Sequence, residues 1–91
     1  MTVVRREIEV LNALGLHARA AARFVNVAGR FTAQVRLSRE DRTVDGKSLM
    51  GILLLAAARG TRLTIEAEGP DAEAAADALA ALVASGFGEG V

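Results

Sequence analysis

The sequence predicts a small α+β domain in which helices cover one side of a single antiparallel sheet. Two periodicities indicate this fold class. Four segments alternate apolar and polar residues as strands do, and three others repeat their apolar residues at the spacing of amphipathic helices. Their order along the 91 residues is βαββαβα. Each predicted strand has one apolar and one polar face, which favours an antiparallel sheet over a parallel sheet buried on both sides.

The first half of the chain contains two strands and one helix by these criteria. Residues 3–10 alternate imperfectly and predict the first strand, and residues 12–15 form a turn. A helix then runs from His17 to about Gly29. Its apolar stripe consists of Ala21, Phe24, Val25 and Ala28. Residues 31–37 alternate cleanly as the second strand.

The second half contains two more strands, the first of which completes a hairpin with the second strand, and two more helices. Residues 38–41 are the predicted hairpin loop, and residues 42–44 are a short third strand. The second helix runs from Leu49 to about Arg59 and is closed by Gly60. The fourth strand covers residues 62–68, and the last helix begins at Asp71, its predicted N-cap, and ends at Gly86. We find no repeat or linker and expect residues 1–91 to form one domain.

Composition argues against several classes of function. Aromatic residues are only 3%, without Trp or Tyr, which argues against nucleic-acid binding by base stacking. Eleven basic and eleven acidic residues give no net charge, so a polyanionic partner is not indicated. The absence of cysteine and the single histidine exclude disulfides and the usual zinc sites. We expect no metal, no cofactor and no membrane insertion, and a cytoplasmic location.

The single histidine, His17, stands at the predicted start of the first helix, two residues before Arg19. The first N–H groups of a helix have no intrahelical partner and attract anions. A cation in the first turn is disfavoured by about 0.3–1 kcal/mol unless an anion binds beside it. A neutral imidazole there is a suitable nucleophile toward phosphorus. An ordinary surface or partly packed histidine is the alternative, and residue chemistry alone leaves both open.

Two motifs and the order of the elements resemble one protein family. The motifs are Gly15-Leu16-His17-Ala18-Arg19 and Gly46-Lys47-Ser48-Leu49-Met50-Gly51, supported by Gly60 and the tail Gly86-Phe87-Gly88-Glu89. Together they resemble HPr, the histidine-containing phosphocarrier of the bacterial phosphoenolpyruvate-dependent phosphotransferase system. The resemblance implies an open-faced β-sandwich, with four antiparallel strands covered on one side by three helices. It also implies a monomeric carrier, not a free-standing enzyme.

The same resemblance implies roles for individual residues and partners. His17 would accept a phosphoryl group on Nδ1 from phosphorylated enzyme I and pass it to an enzyme IIA protein. Arg19 would hold the phosphate. Leu49, Met50 and Leu53 would form an apolar docking patch, with Arg23 and Arg30 as its charged rim. A well-buried second helix is the alternative explanation for its apolar residues.

Ser48 has two interpretations. Serine is among the best helix caps, and Ser48 precedes the second helix. The resemblance adds a regulatory role, because a kinase and phosphorylase modify the serine at this position in some bacteria. A phosphate there would add about −1.5 to −2 charges and repel acidic partners.

One position departs from the family pattern. Ala20 stands where the family usually has proline, which suggests that the chain is similar to the nitrogen-related branch, often called NPr. Alanine keeps the helix and restores an N–H that proline lacks. Sugar and nitrogen branches therefore both remain open. Two other functions are also considered: a regulatory binding module of this fold without phosphotransfer, and a ligand-binding domain of the ferredoxin-like sort.

Overall fold

The computed structural model describes residues 2–89 and contains four strands and three helices in the predicted order. The elements are β1 (Val3–Glu9), α1 (Ala18–Ala28), β2 (Gln34–Arg39), β3 (Arg42–Asp45), α2 (Leu49–Leu54), β4 (Arg62–Glu68) and α3 (Ala72–Ala84). This confirms the α+β fold class that the periodicities predicted. Of the three helices, none is long and apolar enough to cross a membrane within residues 2–89.

The four strands form one antiparallel sheet in the order β1-β4-β2-β3. Strand β4 lies inside the sheet, and Glu68 in it is opposite both Val3 of β1 and Gln34 of β2. Strands β2 and β3 form a hairpin whose turn is Glu40 and Asp41. The predicted loop of residues 38–41 is therefore too long, because Ser38 and Arg39 still pair with β3.

The helices pack on one face of this sheet around a common core. Inward-facing residues of the sheet and residues of all three helices belong to one buried cluster that includes Val35, Leu37, Leu63, Ile65, Phe24, Ile52 and Leu79. The other face is polar. On it, Glu66 lies 3.5 Å from Arg5 and 3.5 Å from Arg36. Since ion pairs at a protein surface contribute little to stability, the buried face holds the fold together.

Asp71 connects the start of α3 to the segment before β2. It occupies the N-cap position of α3 as predicted, but its side chain makes no capping hydrogen bond there. Instead, its carboxylate accepts hydrogen bonds from the backbone N–H of Thr32 at 2.9 Å and of Ala33 at 2.7 Å. The prediction that strand two begins at residue 31 is therefore wrong. Residues 31–33 bend toward Asp71, and sheet pairing begins at Gln34.

Helix α2 ends earlier than the sequence suggested, at Leu54 and not near residue 59. Ala56 has a left-handed backbone, with φ of 50°. Two arginines from the β2–β3 hairpin bind the carbonyl oxygens at this helix end. Arg42 donates to Leu54, and Arg39 donates to the following two carbonyls, at 2.8–3.0 Å. These side chains provide hydrogen bonds for the carbonyl groups at the helix end. The chain therefore leaves the helix before it reaches Gly60, and Gly60 does not end it.

Helix α3 ends before Gly86, as predicted, in a Schellman arrangement. The N–H of Gly86 donates to Val83 at 2.9 Å, and the N–H of Phe87 donates to Leu82 at 2.9 Å. Gly86 has a φ of 67°, a conformation that glycine adopts without strain. Phe87 then inserts its ring into the core, where it is fully buried. This anchor directs the following residues toward the start of α1.

Candidate functional site

His17 is the N-cap of α1, at the end of a loop that is fixed to the residues after α2. The N–H of Leu16 donates to the carbonyl oxygen of Ala57 at 2.9 Å. Gly15 has a φ of 66°, and a Cβ at this position would lie 2.6 Å from the same carbonyl oxygen. Only glycine fits there, because any side chain would strike this backbone. The two residues before His17 therefore set the direction in which it leaves the loop.

The first turn of α1 offers free hydrogen-bond donors. The His17 side chain makes no capping bond, and the first helical bond is from Ala21 N–H to His17 O at 2.9 Å. In the described part of the chain, the backbone N–H groups of residues 18–20 have no acceptor. Ala18 and Arg19 are exposed, whereas Ala20 is fully buried, so the N–H groups of residues 18 and 19 are the ones on the accessible side of the turn. The site thus has the donors that an anion requires.

The imidazole of His17 is held at its Nε2 atom, which leaves Nδ1 on the other side of the ring. Its Nε2 lies 2.6 Å from Oε2 of Glu89, and the two side chains are 27% and 19% exposed. An ionised carboxylate can only accept a hydrogen bond, so the proton belongs on Nε2. In the neutral ring, Nδ1 then carries the free lone pair.

Glu89 is itself held by Asn12. The fully buried Asn12 donates through Nδ2 to Oε1 of Glu89 at 3.1 Å and to the carbonyl oxygen of Gly15 at 2.8 Å. Desolvation raises the pKa of Glu89, but the hydrogen bonds from Asn12 and His17 and the charges of His17 and Arg23 outweigh it. The pKa of Glu89 is therefore lowered, and the carboxylate is ionised at neutral pH.

The three arginines predicted for the site have different surroundings. Arg19 is exposed and takes part in no hydrogen bond or ion pair among residues 2–89, which leaves its guanidinium available to an anion. Arg30 is likewise exposed. Arg23 is half-buried and donates to the carbonyl oxygen of Phe87. Arg23 therefore holds the segment around Phe87 beside the site.

Helix α2 presents an apolar surface to solvent. Leu49, Met50 and Leu54 are 43%, 67% and 59% exposed, and Leu14, in the loop before His17, is 73% exposed. Leu53 is half-buried and packs against the core. Sequence reasoning named Leu49, Met50 and Leu53 and missed Leu14 and Leu54. Leu54 lies four residues after Met50, so helical spacing alone could have found it.

Ser48 is the N-cap of α2. Its Oγ accepts a hydrogen bond from the backbone N–H of Gly51 at 3.1 Å, which confirms the predicted capping role. The residue is half-buried and lies directly before the exposed Leu49 and Met50. Any charge added to this hydroxyl would therefore border the apolar surface of α2.

Sequence reasoning missed Glu89 and Asn12 as parts of the site. Glu89 was noted only as a member of the tail motif, and Asn12 only as a turn residue. Their positions in the sequence give no signal of a contact, since 72 residues separate Glu89 from His17.

Among residues 2–89, no group of three or more His, Cys, Asp or Glu side chains could hold a metal ion.

A histidine at a helix start with free N–H donors, on an antiparallel sheet covered by three helices, is the arrangement that the resemblance implies for a small phosphocarrier. The family model PTS-HPr, described as the PTS HPr component phosphorylation site, matches residues 4–85. The chain therefore belongs to the HPr family of phosphocarriers of the bacterial phosphotransferase system. Proteins of this family carry phosphate transiently and are not catalysts on their own. The resemblance that the two motifs indicated is confirmed.

Individual relatives agree with the family match. The chain is 50% identical over 88 residues to phosphocarrier protein HPr of Cupriavidus necator, covering 97% of this chain and 99% of that protein. It is 37% identical to phosphocarrier protein NPr of Shewanella violacea, covering 98% of each. The crystal structure of HPr-C-His from Thermoanaerobacter tengcongensis superposes with a TM-score of 0.91 at 42% identity, over 100% of both chains.

Proposed function

We propose that His17 is the phosphoryl acceptor of this carrier and that it reacts through Nδ1. The observation that carries the proposal is the contact of Nε2 with Glu89, which leaves the Nδ1 lone pair as the nucleophile. This lone pair forms the new N–P bond as the bond from phosphorus to the donor breaks, and that electron pair stays on the donor. The proton on Nε2 does not move, so the ring becomes a phosphoimidazolium whose positive charge faces the Glu89 carboxylate.

Arg19 and the first turn of α1 are proposed to bind the transferred phosphate. The free N–H groups of the exposed residues 18 and 19 and the exposed Arg19 guanidinium can donate hydrogen bonds to phosphate oxygens. Charge-assisted bonds of this kind contribute about 1.5–3 kcal/mol each. Arg19→Ala should therefore lower the rate of phosphorylation by about tenfold to a hundredfold. Arg59→Ala, an exposed arginine on the loop before β4, is the matched control.

The partners are proposed to be phosphorylated enzyme I as donor and enzyme IIA proteins as acceptors, in the cytoplasm. We propose that the monomer docks through the apolar patch of Leu49, Met50 and Leu53, with Arg23 and Arg30 at its charged rim. The exposure of Leu49 and Met50 supports this surface. Rim charges mainly raise association rates, which suits a carrier that must bind several partners briefly. Any Mg²⁺ requirement belongs to the enzyme I step.

Phosphotransfer from phosphoenolpyruvate through enzyme I tests the acceptor. The wild type should take up an acid-labile phosphate, and His17→Ala should take up none. An unlabelled wild type, with both the sugar and the nitrogen enzyme I as donors, would contradict the carrier function and favour a regulatory module that acts by binding alone. Label that survives in His17→Ala would contradict the assignment of the residue.

The same assay addresses the branch of the family. The sugar and the nitrogen enzyme I are compared at equal concentrations, and kcat/KM for the carrier is measured with each. The donor with the higher kcat/KM identifies the branch. Ala20→Pro, measured in parallel, shows whether the alanine at this position contributes to that preference through its N–H.

We further propose that phosphorylation of Ser48 by a serine kinase, reversed by a phosphorylase, lowers carrier activity. A phosphate there places negative charge directly before Leu49 and Met50, where acidic partners would dock. Ser48→Asp and Ser48→Asn separate charge from capping, because both side chains cap a helix and only the first is charged. The Asp variant should raise KM for enzyme I, whereas the Asn variant should not. Equal KM values in the two variants would contradict the mechanism.

A further inference from the structure

The buried amide of Asn12 has an unusual set of neighbours. The side chain is fully buried in the loop before α1. Its Nδ2 has two acceptors, the Gly15 carbonyl oxygen and Oε1 of Glu89, while Oδ1 has no hydrogen-bond partner among residues 2–89. A buried polar atom without a partner costs about 1–3 kcal/mol. This cost accompanies an orientation in which both N–H groups of the amide have acceptors.

The orientation of this amide is fixed by what surrounds it. Rotating it by half a turn would bring Oδ1 against a carbonyl oxygen and a carboxylate, both of which repel it. The NH₂ group therefore faces Gly15 and Glu89. One of its hydrogen bonds is local, across three residues, and orders the loop. The other crosses 77 residues and reaches the tail after α3.

The two oxygens of Glu89 are used separately. Oε1 accepts from Asn12 at 3.1 Å, and Oε2 lies 2.6 Å from Nε2 of His17. With one oxygen held by a buried donor, the carboxylate has little freedom left to turn away from the ring. Fixing a side chain in advance removes the entropy cost of ordering it during the reaction.

We propose that Asn12 is a positioning residue that holds the Glu89 carboxylate against Nε2 of His17, so that the ring keeps its proton on Nε2 and presents Nδ1. The proposal rests on the proposed function for its kinetic consequence only. The state of the ring itself is a property of the unphosphorylated protein, and it can be observed without any partner.

Nuclear magnetic resonance of the free carrier gives the first test. His17 is the single histidine, and Asn12, Asn26 and Gln34 are the only side-chain amides, so every relevant signal can be assigned. The wild type should show a hydrogen-bonded Nε2–H proton. Asn12→Ala should speed the exchange of this proton with water by about threefold to tenfold, the loss of one hydrogen bond. Asn26→Ala, exposed on α1, is the control and should change nothing.

Asn12→Ala also removes the local bond to Gly15, so a second variant separates the two bonds. In Glu89→Ala, one of the two Asn12 amide protons should shift upfield while the other, bound to Gly15, stays in place. This measurement leaves Asn12 intact and does not depend on the stability of an Asn12 variant. Two unchanged amide protons would overturn the proposal.

A double-mutant cycle tests the kinetic consequence with enzyme I as donor. Asn12→Ala should lower kcat about threefold to tenfold and leave KM unchanged, because the Asn12 side chain is fully buried and makes no contact with a docked partner. In the Glu89→Ala background, the same substitution should have a clearly smaller effect, because only the hydrogen bond to Gly15 is left to lose. An equal loss in both backgrounds would show that Asn12 acts through the loop alone and would overturn the proposal. A wild type without phosphotransfer would contradict the proposed function but leave the ring measurements valid.

Discussion

Oε2 of Glu89 lies 2.6 Å from Nε2 of His17, although 72 residues separate them in the chain. The contact depends on how the tail leaves α3. The Schellman turn at Gly86, the buried ring of Phe87 and the hydrogen bond from Arg23 to the Phe87 carbonyl together direct Glu89 to the start of α1. The geometry of the candidate site therefore depends on core packing at the opposite end of the sequence.

Phe87→Ala should disturb both the core and the site. Removing a fully buried phenyl ring costs about 3–5 kcal/mol in the free energy of unfolding. It also releases the anchor of the tail, so the Nε2–H proton of His17 should lose its hydrogen bond. Denaturant unfolding and the His17 ring signal measure the two effects. Phe31→Ala, at a half-buried position away from the tail, should cost less and leave the ring signal unchanged.

Gly15→Ala should destabilise the loop before His17 more than a glycine substitution elsewhere. Its left-handed backbone disfavours a side chain by about 1–2 kcal/mol, and the added Cβ would also lie 2.6 Å from the Ala57 carbonyl oxygen. Gly60 is the matched control, because its φ is 90° but nothing lies within 4 Å of an added Cβ. Thermal unfolding of both variants separates the contribution of the close contact. Equal losses would show that this contact is relieved at little cost.

Ser48→Ala should shorten or loosen α2. The variant loses the hydrogen bond from Gly51 N–H to Oγ, which corresponds to about 1 kcal/mol for a serine N-cap. Ser48→Asn should recover most of this stability, since asparagine caps as well as serine. Denaturant unfolding gives the free-energy differences. A fully stable Ser48→Ala variant would show that the packing of Ile52 and Leu55 holds α2 in place without the cap.

Asp71 should make stability depend on pH in the acid range. The hydrogen bond from Thr32 N–H is the largest cause that lowers the pKa of Asp71 below 3.8; desolvation opposes it, and the Ala33 N–H adds to the lowering. Because the folded pKa lies below the unfolded one, the contribution is complete above the unfolded pKa. It is lost as pH falls through the folded pKa.

The measurement compares the free energy of unfolding of the wild type and Asp71→Asn across pH. The difference should be constant near neutral pH and shrink below about pH 4, as the carboxylate is protonated. Asp41→Asn, in the exposed hairpin turn, is the matched control. A difference that grows toward low pH would contradict the sign of the effect.

Much of the fold followed from local patterns in the sequence. The alternation in residues 62–68 correctly assigned the buried face of that strand. Of the predicted helical stripe, Ala21, Phe24 and Ala28 are buried and Val25 is partly buried against the core. The predicted helix and strand boundaries were less accurate where side chains from another part of the chain form hydrogen bonds with the backbone. Helix α2 stops at Leu54 because Arg39 and Arg42 bind its last carbonyls, and β2 begins late because Asp71 binds the residues before it.

The sequence by itself determined the order of the elements, the position of His17 at the start of α1, the capping of α2 by Ser48, and the family. These features depend on residues close together in the chain, where periodicity and capping chemistry act. Only the tertiary structure decided that Glu89 faces Nε2 of His17 and that Asn12 holds it there. Contacts across 72 and 77 residues depend on how three helices and the tail pack on one sheet, which no local pattern records.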